Sequence, residues 1–204
     1  MSKSVNTLPL PYFGNLFFYA VLFQTDHIID VHENYRKQTY KNRAEIVTDQ
    51  GLLKLTIPVI KNSGLKTPFH EIQIDNGDHW NKIHPRALKA AYSSSPFYEY
   101  YIDDLNPIWE QPCDSLYENN LRCHKIICKI MEWKLDLNIS DTYVDDFEND
   151  YRPMFLKRKK KSDFQPYTQV FKSKTEHISN LSILDLIFNL GPESEMYLRN
   201  LKIE

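Results

Sequence analysis

Residues 8–23 constrain this chain more than any other stretch. Leu8-Pro9-Leu10-Pro11-Tyr12-Phe13 is an apolar segment, punctuated by proline, that runs into Gly14-Asn15. A helical pattern follows at once, with Leu16, Tyr19, Ala20, Val21 and Phe23 crowding one side. Gln24-Thr25-Asp26 closes it before the β-branched run His27-Ile28-Ile29-Asp30-Val31. Extended segment, tight turn, helix and strand, in that order, make the opening βαβ unit of a parallel sheet. Such sheets bind ligands beyond the carboxyl ends of their strands, beside the first turn. Gly14 and Asn15 are therefore where free backbone N–H groups are expected to meet the anionic part of a ligand. The same letters also fit a glycine that only turns the chain into a buried helix.

The patterns that follow fill in the fold. Ala44-Glu45-Ile46-Val47-Thr48 and residues 52–60 flank the turn residues Asp49-Gln50-Gly51, which predicts a β-hairpin whose second strand is limited by Pro58. Residues 61–68 read as a mobile loop, and residues 71–75 as a short alternating strand. Asp78 is placed to cap a helix from His79 and Trp80 to Tyr92, in which Pro85 requires a late start or a break. The strongest helical pattern covers residues 113–133. Asp114 or Ser115 caps it, Glu118 stands at capping-box spacing, and Leu116, Leu121, Ile126, Ile127, Ile130 and Met131 form its apolar face.

Residues 139–144 offer a last strand. Ser179 or Asn180 opens an amphipathic helix with Leu181, Leu184, Ile187 and Phe188, closed by Gly191-Pro192, and a short helix carries Tyr197 and Leu198. The predicted fold is α/β: a single domain with a mixed sheet opened by a βαβ unit, an inserted β-hairpin and a helical C-terminal half. Residues 1–77 form its sheet part and residues 78–135 its helical part. Residues 145–163 make a charged surface excursion, and residues 164–204 a return segment with the C-terminal helices.

Charge and composition narrow the function. A formal net charge of −2 argues against a generally basic nucleic-acid binder. The basic run at residues 157–161 also lacks the aromatic interleaving of a base-stacking platform. Only 5 glycines are present and no glycine-rich phosphate loop, so neither a dinucleotide-binding nor a Walker motif stands here, and the cofactor is left unknown. Cys113, Cys123 and Cys128 form no CxxC pair and have no evident base, which points to reduced thiols rather than a nucleophile. No apolar run reaches the length of a membrane span. The expectation is a soluble, cytoplasmic protein of open oligomeric state.

Candidate chemistry gathers in residues 32–43, beyond the second predicted strand. Arg36 and Arg43 can hold a phosphate or carboxylate through bidentate forks, and Lys37 can supply a point charge. A solvated charged loop fits the same letters. His79, Trp80 and His84 cluster at a helix start. The two histidines miss the three- or four-residue spacing that would put two ligands on one helical face, so a substrate contact fits better than a zinc site. Asp103-Asp104 would bind a divalent cation only from a loop, and a solvated helix end explains the pair as well.

Several stretches together resemble the WbqC-like family, bacterial proteins often associated with O-antigen and other surface-polysaccharide gene sets. They are residues 8–15, Lys37-Gln38-Thr39-Tyr40-Lys41-Asn42-Arg43, Leu55-Thr56-Ile57-Pro58 and His79-Trp80. Further on they are residues 95–101, Tyr167-Thr168-Gln169-Val170-Phe171 and residues 180–185. They span nearly the whole chain in the family's order. The family pattern opens with a Gln-Pro pair where this chain has Leu10-Pro11.

With that resemblance, the expected function is a transferase that modifies a nucleotide- or carrier-linked sugar in surface-glycan biosynthesis. In this reading Gly14 and Asn15 meet the donor's anionic part, Lys37 and Arg43 neutralise charge as it builds, and His79 is the acid–base group. Gln38, Asn42, Trp80, Tyr167, Gln169 and Asp185 complete the substrate site. The alternative is a non-catalytic subunit that grips a partner with the aromatic surface around Tyr98, Tyr100 and Tyr101. The enzyme needs Asn15, Lys37, Arg43, His79 and Gln169 around one hollow; the binding subunit needs an exposed tyrosine patch.

Overall fold

Two three-residue strands begin the structure. The computed structural model describes residues 5–60, 66–156, 164–171 and 177–203. In it β1 (Asn6–Leu8) and β2 (His27–Ile29) pair in parallel, and α1 (Leu16–Gln24) crosses between them. The βαβ opening is thus present. Both edges of the pair are taken: Thr7 exchanges backbone hydrogen bonds with Asn149 and Tyr151, and Ile29 with Asn138 and Ser140. The strand expected at residues 139–144 reduces to a single bridge at Ile139, because the chain bends at Asp141 and Thr142.

The hairpin follows its sequence pattern. β3 (Arg43–Thr48) and β4 (Gly51–Thr56) are antiparallel, with Glu45 opposite Lys54 and Thr48 opposite Gly51. Gly51 takes φ 97°, a conformation glycine reaches without a Cβ clash. The parallel and antiparallel pairs stand as two separate ladders. In place of the strand expected at residues 71–75 the chain makes isolated bridges, Gln73 with Ser115 and Ile74 with Val59.

Helices fill the remainder: α2 (Trp80–Tyr92), α3 (Tyr98–Leu105), α4 (Pro107–Glu110), α5 (Leu116–Ile130), α6 (Ile183–Leu190) and α7 (Ser194–Arg199). α5 is capped by Ser115, whose side chain accepts the Glu118 N–H. α2 departs from expectation. Asp75 caps a preceding 3-10 turn, His79 enters the helix in the left-handed region at φ 52°, and the helix runs unbroken through Pro85. One missing hydrogen bond near the start is tolerated because Trp80, His84, Leu88, Ala91 and Tyr92 bury the helix's other face. Every helix contributes to one cluster of buried apolar side chains.

α1 has the most demanding environment. Leu16 through Leu22 are all buried, so this helix must be covered on every side. Its first four N–H groups find acceptors within the protein. Leu16 N–H donates to Leu181 O (3.0 Å), Phe17 N–H to Asn180 Oδ1 (2.9 Å), Phe18 N–H to Asn15 Oδ1 (3.0 Å) and Tyr19 N–H to Asn15 O (3.4 Å). In return Ser182 Oγ donates to Phe13 O and Ile183 N–H to Gly14 O, both at 2.8 Å. Ser182, rather than Ser179 or Asn180, caps α6, since the Asn180 side chain is spent on α1.

Asn180 holds φ 53°, which asparagine tolerates and alanine does not. Asn180→Ala therefore loses both the Phe17 acceptor and the backbone fit. The expected cost is about 1–2 kcal/mol in urea denaturation. An unchanged midpoint would show that this seal contributes nothing to stability.

Candidate functional site

The loop that leaves the carboxyl end of β2 is anchored by a buried ion pair. Asp30 is fully buried; its Oδ1 accepts N–H groups from His32 (2.8 Å) and Glu33 (3.1 Å), and its Oδ2 accepts Arg152 Nη1. Asp150 binds the same guanidinium through Nε (2.8 Å) and Nη2 (2.9 Å). Beyond this anchor, Phe69 N–H donates to Glu33 O (3.0 Å) and Tyr35 N–H to Thr67 O (2.8 Å), so the loop runs extended beside residues 67–69. It comes back through Lys41, whose Nζ lies 2.6 Å from Glu33 Oε1 and 5.3 Å from the Phe69 ring centre. Burial lowers the Lys41 pKa and raises that of Glu33, and their mutual attraction opposes both shifts. Asn120 and Asn42 fix the backbone here by donating to Lys41 O (2.7 Å) and Ile57 O (2.8 Å).

This framework borders a cavity of about 290 Å³ lined by Gln38, Thr39, Tyr40, Arg43, Glu45, Lys54 and Leu156. The strand period puts Arg43 and Glu45 on one face of β3, and the antiparallel register adds Lys54 from β4. Tyr40 OH donates to Glu45 Oε2 at 2.8 Å and holds that carboxylate. Gln38 stands in the left-handed region at φ 61°, a strained backbone for a residue with a Cβ. Arg43 Nε is buried and has no hydrogen-bond partner among the described residues; the same holds for the hydroxyl of Tyr35. Burial pushes the Tyr35 phenol up to about 12, with the Arg43 charge pulling the other way. It is thus a neutral donor at ordinary pH.

The other expected site residues lie elsewhere. Gly14 and Asn15 sit where α1 is sealed, and their N-terminal donors are spent inside the protein. Asn42 is buried beneath the loop. Trp80 is 2% exposed and donates to Asn76 Oδ1, packed against Tyr12 and His84. His79 is exposed at the start of α2 and Lys37 is exposed in the loop; neither is among the described residues lining the cavity. Tyr167, Gln169 and Asp185 do come together, but around a fully buried carboxylate. Asp185 accepts from Tyr167 OH, Gln169 Nε2 (3.2 Å) and Tyr92 OH (2.7 Å).

Arg43 and Gln38 therefore share a cavity, while Asn15, His79 and Gln169 do not join them. The tyrosine patch does not form either. Tyr98 is buried against Phe188, Tyr101 stacks on Phe97, and Tyr100 alone of the three stands out at 75% exposure. Asp103 and Asp104 lie exposed near the end of α3. The basic run at residues 157–161 falls outside the described residues, as do residues 61–65 of the predicted loop. Sequence reasoning missed Glu45 and Lys54 in the cavity. The alternation that puts Glu45 and Lys54 on the Arg43 face was the signal available.

A family model for the WbqC-like protein family matches residues 10–162. The chain belongs to the WbqC-like family. The match contains every described residue lining the cavity and stops short of Tyr167, Gln169 and Asp185. A Mycobacterium tuberculosis (strain ATCC 25618 / H37Rv) relative, "Uncharacterized protein Rv1507c", is 28% identical over 90% of this chain and 91% of its own length. No solved structure matches. Among the described residues, no helix is long and apolar enough to cross a membrane.

The WbqC-like region also buries a histidine. His84 Nδ1 lies 3.0 Å from Tyr12 OH and Nε2 3.2 Å from Thr56 O, while Trp109 Nε1 donates to Tyr12 OH at 3.3 Å. Burial lowers the His84 pKa from 6.5 to about 4, against the Thr56 hydrogen bond. The folded state keeps this ring neutral while the unfolded chain takes a proton below about pH 6.5. The contribution is complete above that pH and fades as pH falls toward about 4, by on the order of 3 kcal/mol. His84→Gln should be less stable than the wild type at pH 7, with the gap narrowing between pH 6.5 and 4. A constant gap in denaturation midpoints would refute the assignment.

Proposed function

We propose that the cavity over β3 and β4 binds the anionic end of a nucleotide- or carrier-linked sugar. In this reading the protein transfers a group to or from that sugar in bacterial surface-glycan biosynthesis. One observation carries it: Arg43 and Lys54 stand together in the lining of this cavity. A guanidinium and an ammonium at one cavity wall offer charge-assisted hydrogen bonds to an anionic group placed between them. Membership of the WbqC-like family supports the glycan context.

The lining suits that chemistry. Arg43 and Lys54 neutralise charge that accumulates on the leaving oxygens. Gln38 offers both donors and an acceptor to sugar hydroxyls. Glu45, steadied by Tyr40, is placed to take the proton of an attacking hydroxyl as general base, the role first expected of His79. Lys37 adds positive charge from the exposed part of the loop.

A thermal-shift panel of nucleotide sugars, nucleotides and acyl carriers tests the reading. At least one sugar conjugate should raise the melting temperature, since ligand at a hundred times its Kd adds about 2.7 kcal/mol. Arg43→Gln should abolish that rise while leaving the unliganded protein folded. A panel without a hit, or a hit that Arg43→Gln retains, removes this function.

A further inference from the structure

We infer that the free edge of β4 is an interface between copies of this chain, at which two hairpins join into one continuous antiparallel sheet. The surface goes beyond the sugar-conjugate reading and stands whatever the cavity binds.

The direction of each backbone group follows from the ladder. On β3, Glu45 O accepts from Ser182 N–H (2.8 Å) and Val47 N–H donates to Tyr92 OH (3.4 Å), so both residues turn their backbone groups away from β4. The register sets Lys54 opposite Glu45 and Leu52 opposite Val47. Opposite residues of an antiparallel pair turn their backbone groups both inward or both outward. Leu52 and Lys54 therefore aim their N–H and C=O groups at the free side of β4. Among the described residues, no backbone hydrogen bond reaches them there. The edge closes at Thr56, whose carbonyl lies 3.2 Å from His84 Nε2. Leu52, Leu53 and Lys54 are all exposed. Alternate residues of a strand face opposite sides, so this end of the hairpin is open on both faces.

Symmetry and charge select the occupant. An unpaired edge is a template for another strand, and proteins usually blunt it. Here it presents Leu52 at 39% and Leu53 at 37% exposure, with Lys54 as the strand's single charge. A second copy, antiparallel about a two-fold axis at Leu53, places Leu52 of each chain opposite Lys54 of the other. Both outward-turned pairs then exchange their N–H and C=O groups. The two Leu53 side chains meet at the axis, at the position where strands bring side chains closest. A shift of two residues in one direction sets Lys54 against Lys54, which like charges oppose. A shift in the other direction moves the pairing onto the turn at Asp49 and Gln50. Lysine thus admits one register, and in that register the chain complements itself. Opposite residues also share a face of the sheet, so Leu52 of one copy stands beside Lys54 of the other, on the cavity side. Each copy adds an apolar residue to the rim of its partner's cavity.

A contact of one strand is small beside the roughly 1,200–2,000 Å² of a stable complex, so the dimer should dissociate in the micromolar range. Sedimentation equilibrium on the full chain, from about 1 to 500 μM, should show monomer passing into dimer. Leu53→Asp and Leu53→Lys should each stay monomeric, because each sets like charges at the axis, and an equimolar mixture of the two should restore the dimer. Leu53 is partly exposed, so both variants should keep the wild-type far-UV circular dichroism. In the wild type, hydrogen exchange at the Leu52 and Lys54 amides should slow about fivefold between the dilute and concentrated ends, a readout that needs no variant. A monomer across the whole range, or a dimer that both single variants retain, overturns the interface. So does a mixture that stays monomeric, or an exchange rate at Leu52 and Lys54 that ignores concentration.

Discussion

The covering of α1 by residues 180–183 is the contact on which the rest of the molecule depends. A helix apolar on all sides cannot end at solvent, and its first turn carries four N–H groups that need acceptors. Asn180, Leu181 and Asn15 supply them, across a separation of 163 residues for the Phe17–Asn180 bond. The same segment then reaches β3, where Ser182 N–H donates to Glu45 O at 2.8 Å. Val47 N–H donates to Tyr92 OH, which in turn binds Asp185 in the first turn of α6. Helix, strand and returning chain are thereby one unit. Glu45 gives its carbonyl to this unit and its carboxylate to the cavity, so the cavity wall inherits the rigidity of the seal.

The protein buries charge in three different ways. Asp30 and Asp150 share Arg152, a pair whose desolvation is offset by several hydrogen bonds and by the Tyr143 and Phe147 rings against the guanidinium. Glu33 and Lys41 are drawn toward neutrality by burial and toward charge by each other. Among the described residues, Asp185 has no cation against it; burial raises its pKa, and two phenols and an amide resist that rise. All three sit in the frame around the cavity or the seal. Arg43 differs because its inner N–H has no hydrogen-bond partner among the described residues.

Local pattern made much of this readable. The proline-punctuated start, the helix after Gly14 and the β-branched run fix a βαβ unit through neighbouring residues alone. Asp49-Gln50-Gly51 and the alternation around Lys54 fix the hairpin, and Ser115 with Glu118 fixes the start of α5. What escaped depends on distant partners. Asn15 and Gly14 look like an anion site until residues 180–183 arrive to occupy the donors. Trp80 looks like a stacking surface until Tyr12, from the connection between β1 and α1, covers it. Asp78 lost its capping role because Asp75 formed a tighter turn first, a choice between near neighbours that composition does not decide.

The seal has a bearing on synthesis. A ribosome releases residues 15–17 long before residues 180–183 exist, so α1 emerges as an oily helix whose lid is still unwritten. Closing a loop of that length is slow, and exposed apolar surface in the interval invites association with other chains. The nascent protein must therefore spend most of its translation with its most hydrophobic element waiting, which makes it a natural client for the chaperones that shelter unfinished chains.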